Sequence, residues 1–258
     1  LERTVRDARD TAEAAARAAL HHLGVAESRP PTHLTADQQQ LRRRLRDHGR
    51  QLGDTLGDDR EQTIDRLVEE VAYEHWHRML FARVLASNGL LICEGAPVSL
   101  DDCDELAPDS GARSRWDLAA RLAGTMLPRI FRAESPVFAL DLPPEQQRTL
   151  ERLVDDLPDD TFTAADTLGW VYQYWQARRK DEVNAAEVKI GARELPAVTQ
   201  LFTEPYMVEF LLDNTIGAWH AARTLDADTL ATAPDEDTLR RRAACEGVPL
   251  PSLRFVRE

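Results

Sequence analysis

The longest regular pattern of apolar residues runs from Ile64 to Val84. Its apolar side chains recur at intervals of three and four, which places them on one face of an α-helix. They are Ile64, Leu67, Val68, Val71, Ala72, Trp76, Met79, Leu80 and Val84. Asn88 and Gly89 then provide a helix stop. The pattern predicts a long helix with one broad buried face that includes Trp76 and Met79.

Further helical patterns occur on both sides of this segment. They cover Glu2 to Leu23 with a stop at Gly24, a helix capped by Thr35, Trp116 to Phe131 with a break near Pro128, the stretch EQQRTLERLVDDL behind Pro143 and Pro144, and an aromatic-rich stretch from Leu168. No long alternation of apolar and polar residues indicates an extended sheet. The sequence therefore predicts a mainly α fold.

Two charged segments have more than one interpretation. Arg42, Arg43, Arg44 and Arg46 form the densest basic cluster; a solvated helix face is favoured over a phosphate-binding patch, because charge runs usually face water. The acidic stretch from Cys93 to Arg113 is rich in turn residues and predicts a surface loop. It lacks the order of acidic residues that a calcium loop requires.

Composition narrows the class of protein and of partner. The 258 residues allow one large domain or two small ones, and the formal charge of -13 with a pI of about 5.0 lacks the field that drives non-specific binding to nucleic acid. Three cysteines without paired spacing favour a reducing, cytoplasmic setting. No stretch is apolar enough for a membrane span, so we expect no membrane partner. Because the chain starts at Leu1 rather than Met, we also expect a fragment of a longer protein.

The motifs of several enzyme classes are missing. The chain has no glycine-rich dinucleotide loop, no Walker A loop, no serine-hydrolase elbow and no H-E-x-x-H pair. The seven histidines are scattered without a predicted nucleophile partner. His75 and His77 are two residues apart and therefore face different sides of a helix, which argues against a shared metal. The sequence predicts no catalytic residue and no metal site.

Three segments together resemble a known family: AYEHWHRMLFARVLASNGLL from Ala72, LGWVYQYWQARRKDEVN from Leu168, and AVTQLFTEPYMVEFLLDNTIGAW from Ala197. They are similar, in order and spacing over residues 60 to 220, to the region ahead of the catalytic core in adenine-specific DNA methyltransferases of the BREX and DISARM phage-defence systems. PglX-like and type IIG restriction-modification enzymes are similar as well. The resemblance implies a multi-helix N-terminal domain at 1–195 and a segment resembling motif X at 196–258. It also implies a Rossmann-like catalytic domain that this chain does not contain.

In these families motif X lines the S-adenosylmethionine pocket, so the resemblance implies cofactor contacts from Phe202, Thr203 and Pro205 in the full-length enzyme. A helix N-terminus suits the methionine carboxylate, and an aromatic ring attracts a sulfonium. Glu204 interrupts the usual Phe-Thr-Pro order. The alternative is a capped core helix, with Thr203 as N-cap and with Met207, Val208, Phe210, Leu211 and Leu212 in the core.

The resemblance also suggests partners. The full-length enzyme would act on double-stranded DNA and bind other subunits of the defence system. Arg178, Arg179 and Lys180 are the candidate DNA contacts, although weak and salt-dependent binding is expected from so acidic a chain. We expect no methyl transfer by this chain alone, since it lacks the motif that holds a flipped adenine. The alternative function is a non-catalytic helical interaction module of a defence complex.

Overall fold

The structure is a computed structural model that describes residues 1–132, 134–164, 166–186, 190–191, 194–199, 203–245 and 248–255. The chain divides into two compact units, Leu1–Val198 (unit 1) and Thr199–Glu258 (unit 2). The mainly α prediction is confirmed. Within the described ranges, no helix is both long enough and apolar enough to cross a membrane.

Helices make up nearly all of the regular structure. The α-helices are α1 (Glu2–His22), α2 (Ala36–Leu52), α3 (Asp65–Ser87), α4 (Leu100–Leu106), α5 (Arg115–Met126), α6 (Pro128–Phe131), α7 (Pro144–Asp155), α8 (Asp159–Thr163), α9 (Thr167–Ala185), α10 (Leu195–Thr199), α11 (Pro205–Leu212), α12 (Ala218–Thr224), α13 (Ala227–Thr232) and α14 (Glu236–Ala243). A 3-10 helix spans Pro136–Ala139, and a π-helical turn spans Asp213–Gly217. Strands β1 (Ile92–Cys93) and β2 (Ala96–Pro97) form an antiparallel hairpin.

The core of unit 1 forms around α1 and α3. Helix α1 packs against α3, α7 and α9, and its buried face is mostly alanine, which allows close approach of the neighbouring helices. Trp76 of α3 is fully buried and Met79 is 5% exposed, so their predicted burial is confirmed. The rings of Trp76 and Trp175 stack with centroids 6.2 Å apart. This aromatic pair joins α3 to α9 in the core.

The predicted stop of α1 at Gly24 and the predicted cap of α2 at Thr35 are confirmed, whereas the cap of α3 was not predicted. Gly24 takes a φ of +60° after α1, and Thr35 caps α2 in a reciprocal capping box with Gln38. Helix α3 has no cap from its own N-cap residue. Instead the buried carboxylate of Asp54 accepts hydrogen bonds from the backbone N–H groups of Arg66 and Leu67, both at 3.0 Å. A carboxylate from the preceding loop thus stabilises the start of α3.

The basic cluster on α2 is not a solvated face as a whole, and that prediction is wrong for two of its members. Arg42 and Arg46 are buried. Arg42 Nε donates to the Gly24 carbonyl at 2.8 Å, and Arg46 donates to the carbonyls of Val25 and Arg60. The guanidinium groups thus donate hydrogen bonds to backbone carbonyl groups in the loops that precede and follow α2. The two arginines therefore hold the α1–α2 connection against α2.

The predicted loop from Cys93 to Arg113 is also corrected, because it contains the hairpin and α4. Ser99 and Asp102 form a capping box at the start of α4, and Leu100 and Cys103 are buried. The hairpin turn uses residues with positive φ, Glu94 and Gly95. Acidic residues that indicated a loop serve here as the first turn of a helix, where negative charge is favourable.

Unit 2 has a small core. Its buried apolar cluster comprises Ala221, Ala243, Leu250 and Leu253. Helices α11 and α12 and the π-helical turn between them form one uninterrupted helical stretch from Pro205 to Thr224. Helix α12 packs against α14. Helix α11 contributes no buried residue to this cluster.

Candidate functional site

The candidate cofactor residues lie at the start of α11. Thr203 and Glu204 are exposed, extended residues ahead of the helix, and Pro205 occupies its first position. Glu204 is the N-cap and no side-chain cap is made, so the interpretation of Thr203 as an N-cap is wrong. Proline at the first helical position is favourable because it lacks the N–H that would be unpaired there. Phe202 lies outside the described residues.

The apolar side chains of α11 do not enter a core, which overturns the core-helix interpretation of this segment. The exposed large apolar residues of the stretch are Tyr206, Met207, Val208, Phe210, Leu211, Leu212, Ile216 and Trp219. We call them the α11 apolar face. Tyr206 is 63% exposed and Trp219 is 58% exposed. Exposure of so many large apolar side chains on one helical stretch is characteristic of an interaction site.

The π-helical turn ties this helix to the C-terminal segment of unit 2. Buried Asp213 accepts a hydrogen bond from the Ser252 backbone N–H at 2.7 Å. The Asn214 amide donates to the Ser252 carbonyl at 2.8 Å and accepts from the Arg254 N–H at 3.0 Å. The two polar side chains therefore satisfy backbone groups of the turn at Ser252 and of Arg254 just after it.

The candidate DNA contacts lie in the second half of α9, and two of them have acidic partners. Arg178 pairs with Asp10 at 2.9 Å and with Glu13 of α1. Arg179 lies 3.5 Å from Glu182, whereas Lys180 has no ion pair with any described residue. Burial raises the pKa of Glu13, but the hydrogen bonds and charges of Arg9 and Arg178 outweigh it, so the net pKa is lowered. The charge of Arg178 is thus largely compensated within unit 1.

The histidines lie in three different environments. His75 Nε2 is 3.2 Å from the Val137 carbonyl oxygen, and burial lowers the pKa of His75 from its usual 6.5 to about 4. Burial, and next the charge of Arg132, lower the pKa of His77 as well. His220 Nε2 lies 3.2 Å from Cys245 Sγ, so the prediction that no histidine has a nucleophile partner is wrong. Their sequence separation of 25 residues gives no local signal for this pair.

Within the described part of the chain, no further group completes a catalytic set around that pair. Among the described residues, neither ring nitrogen of His220 bonds to a third side chain, which a nucleophile and base would need for orientation. In the same part of the chain, no group of three histidine, cysteine or acidic side chains is arranged to hold a metal ion.

Comparison with known proteins gives a specific relation. The chain is 29% identical over 191 residues to the adenine-specific methyltransferase BrxX of Escherichia coli O9:H4 (strain HS), which covers 61% of this chain and 16% of that protein. It is 25% identical over 227 residues to the adenine-specific methyltransferase PglX of Lacticaseibacillus casei (strain Zhang), covering 72% of this chain and 19% of that protein. No family model matches the chain.

The chain is homologous to these adenine-specific methyltransferases. The predicted resemblance to BREX methyltransferases is therefore confirmed, while the similarity to DISARM and type IIG enzymes stays a prediction. The chain spans less than one fifth of the length of either methyltransferase. Most of the length of these homologues is therefore not aligned with this sequence. Their activity is a proposal for this chain.

Proposed function

We propose that this chain is the N-terminal helical region of an S-adenosylmethionine-dependent, adenine-specific DNA methyltransferase of a BREX-type phage-defence system. The homology to BrxX and PglX carries the proposal. This sequence contains neither a cofactor loop nor a base-holding motif, and we propose that its own role is to support a catalytic domain. The whole enzyme would act in the cytoplasm, with double-stranded DNA and other defence subunits as its partners.

The α11 apolar face supports this role. A small unit that exposes eight large apolar side chains along one helical stretch is better suited to contact with another protein surface than to solvent. We propose that a catalytic domain in the longer protein covers this face. A non-catalytic interaction module would use the same face for a separate subunit, and the experiments below distinguish the two.

We propose that the start of α11 forms one side of a cofactor site. The side chain of Thr203, just ahead of α11, is accessible to solvent. Tyr206, three residues later, also exposes its aromatic ring. When bound, S-adenosylmethionine supplies the methyl group. We propose that Thr203 and Phe202 contact the cofactor and that Pro205 fixes the start of the helix, as the resemblance implies. We also propose that Lys180 contacts DNA. Arg178 and Arg179 would do so after their ion pairs with acidic residues are replaced by contacts with phosphate groups.

The test uses the full-length protein encoded by the gene. Calorimetric titration with S-adenosylmethionine should show that Phe202→Ala weakens binding by about tenfold or more, since aromatic contacts to a base or cation contribute roughly 1 to 3 kcal/mol. Thr203→Ala should weaken binding less, by about fivefold, if one hydrogen bond is lost. Thr224→Ala, which removes a hydroxyl at the opposite end of the same helical stretch, is the matched control.

The outcomes separate three statements. Unchanged cofactor affinity in both variants would remove the assignment of Phe202 and Thr203, even if the enzyme methylates DNA. Failure of the wild-type full-length protein to transfer methyl groups to adenine in DNA would overturn the methyltransferase proposal itself. A gene that ends near Glu258, with a separate protein bound to the α11 apolar face, would establish the interaction module instead.

A further inference from the structure

A cavity of about 470 Å³ lies in unit 1, between α3, α5, α7 and the 3-10 helix. Met79, Trp116 and Phe138 provide apolar and aromatic surface, and three arginines, Arg78, Arg113 and Arg148, also line it. This volume falls within the range of about 300 to 1,000 Å³ that is typical of small-molecule sites. The cavity can therefore hold a small organic molecule.

Arg78 is the unusual residue in this cavity. Its guanidinium carbon lies 4.7 Å from the centroid of the Phe138 ring, and its Nε is buried without a hydrogen-bond partner. Arg78 makes neither a hydrogen bond nor an ion pair with any residue that the structure describes. Burial lowers the pKa of Arg78, although an arginine remains charged in proteins. The charge of Asp117 opposes this effect, but Arg78 has no direct ion-pair partner among the described residues. A partly buried cation in that position is unfavourable unless another group binds it.

The carboxylates that share the cavity already have partners. Asp117 accepts from Arg121 at 2.6 Å, and Asp141 accepts from Arg113.

Glu151 accepts from the Gln147 amide at 3.0 Å and carries the one negative charge of the lining that no described cation neutralises. Against it stand Arg78 and exposed Arg148, neither of which has an ion pair among the described residues. The uncompensated charge of the cavity is therefore positive, on a chain whose net charge is -13.

We infer that this cavity binds a small phosphate-bearing molecule, with Arg78 as the anchor of the phosphate. A guanidinium presents its N–H groups in a planar fork that matches phosphate oxygens. Trp116, Phe138 and Met79 offer apolar surface to the remainder of the ligand. Because the volume of the cavity matches a small organic molecule, we assign the phosphate to a free small ester rather than to nucleic acid. Thr203 and Pro205 do not line this cavity.

The test is calorimetric titration of the complete chain with inorganic phosphate and with adenosine monophosphate. Wild-type protein should bind saturably, and Arg78→Gln should lower the affinity for both by about tenfold or more, as expected for a lost charge-assisted contact.

Arg83→Gln is the matched control for this titration. Arg83 belongs to the same helix, lies over the ring of Phe162 at 5.1 Å and also has a buried, unpaired Nε. Its guanidinium, however, donates to Asp159 and does not line the cavity. Arg83→Gln should therefore keep the wild-type affinity.

Thermal unfolding gives a second measurement that does not depend on the titration. Because Arg78 has no direct ion-pair partner among the described residues, Arg78→Gln should unfold in phosphate-free buffer at the same temperature as wild-type protein or at a higher one. Adenosine monophosphate should raise the unfolding temperature of wild-type protein and of Arg83→Gln, but not that of Arg78→Gln.

Three outcomes of the titration would overturn the inference: no saturable binding by wild-type protein, equal affinity in Arg78→Gln, or an equal loss in Arg83→Gln. If a short DNA duplex displaced adenosine monophosphate in an Arg78-dependent manner, the phosphate would come from nucleic acid and the assignment to a free small molecule would be wrong.

Discussion

Two tryptophans show how differently the two units use apolar residues. Trp76 of α3 is fully buried, whereas Trp219 of α12 is 58% exposed and lies against Arg223, whose guanidinium carbon is 3.8 Å from the ring centroid. Both belong to helical segments with several large apolar residues. Unit 1 surrounds such a segment with helices of its own, while the small buried cluster of unit 2 leaves most of Pro205–Thr224 uncovered. An apolar pattern thus indicates a surface that is favourably buried, but it does not identify the part of the protein or the partner that buries it.

The strongest test of this difference is truncation of each tryptophan in turn. Trp76→Ala should lower the free energy of unfolding by about 3 to 5 kcal/mol, because it leaves a cavity in the core of unit 1. Trp219→Ala should lower it by about 1 kcal/mol or less, the size of an exposed contact between a ring and a cation. Urea unfolding of both variants gives the two values, and similar losses would contradict the assignment of one buried and one exposed ring.

Burial in unit 1 should also make its stability depend on pH. The pKa of His75 is about 4 in the folded chain and 6.5 ordinarily, so the unfolded chain binds the proton first as the pH falls. Stability is therefore full above pH 6.5 and decreases between pH 6.5 and 4, by about 2 kcal/mol at pH 4.5.

His75→Gln removes this titration while keeping an amide near the Val137 carbonyl. Unfolding free energies of the two proteins, measured from pH 7.5 to 4.5, should diverge as the pH falls. Parallel curves would mean that His75 is not the group responsible.

A smaller effect compares two threonines that precede helices. Thr35 caps α2, so Thr35→Ala should destabilise the chain by about 1 kcal/mol. Thr203 makes no cap, so Thr203→Ala should change the free energy of unfolding by less than about 0.5 kcal/mol. Thermal or chemical unfolding would refute the contrast if Thr203→Ala were the more costly change.

The smallest expected effect concerns the α11 apolar face. Phe210→Ser should change the stability of this chain by less than about 0.5 kcal/mol, since the ring is exposed and has no core to leave. In the full-length protein the same change should destabilise more, because the proposed catalytic domain covers the face there. An equal and small effect in both proteins would argue against that covering domain.

Much of unit 1 follows from local sequence signals. The spacing of apolar residues predicts α3 with its buried Trp76, and Thr35 and Gly24 mark helix ends through interactions with residues a few positions away. These features were predictable because helix periodicity and capping depend on near neighbours.

Other features depend on residues that are distant in sequence. Arg42 and Arg46 are buried because they donate hydrogen bonds to carbonyl groups of the loop that follows α1. Asp54 caps α3, which begins eleven residues later in the sequence. The candidate site is predictable only in part: Pro205 at the first position of α11 follows from helix rules, but the exposure of the α11 apolar face depends on what packs nearby. The pair of His220 and Cys245 is likewise brought together only by the fold of unit 2.

The π-helical turn at Asp213–Gly217 fixes the rotational register of the helix that carries the α11 apolar face. A π-helical turn contains one residue more than an α-helical turn, and each residue of an α-helix corresponds to a rotation of about 100°. Deleting a single residue within Asp213–Gly217 would straighten the helix and rotate Pro205–Leu212 by about that angle relative to α12. Asp213 and Asn214 would then lose alignment with the backbone of residues 252–254, while Ala221 stayed packed in unit 2. The extra residue therefore sets the rotational position of each α11 side chain relative to α12.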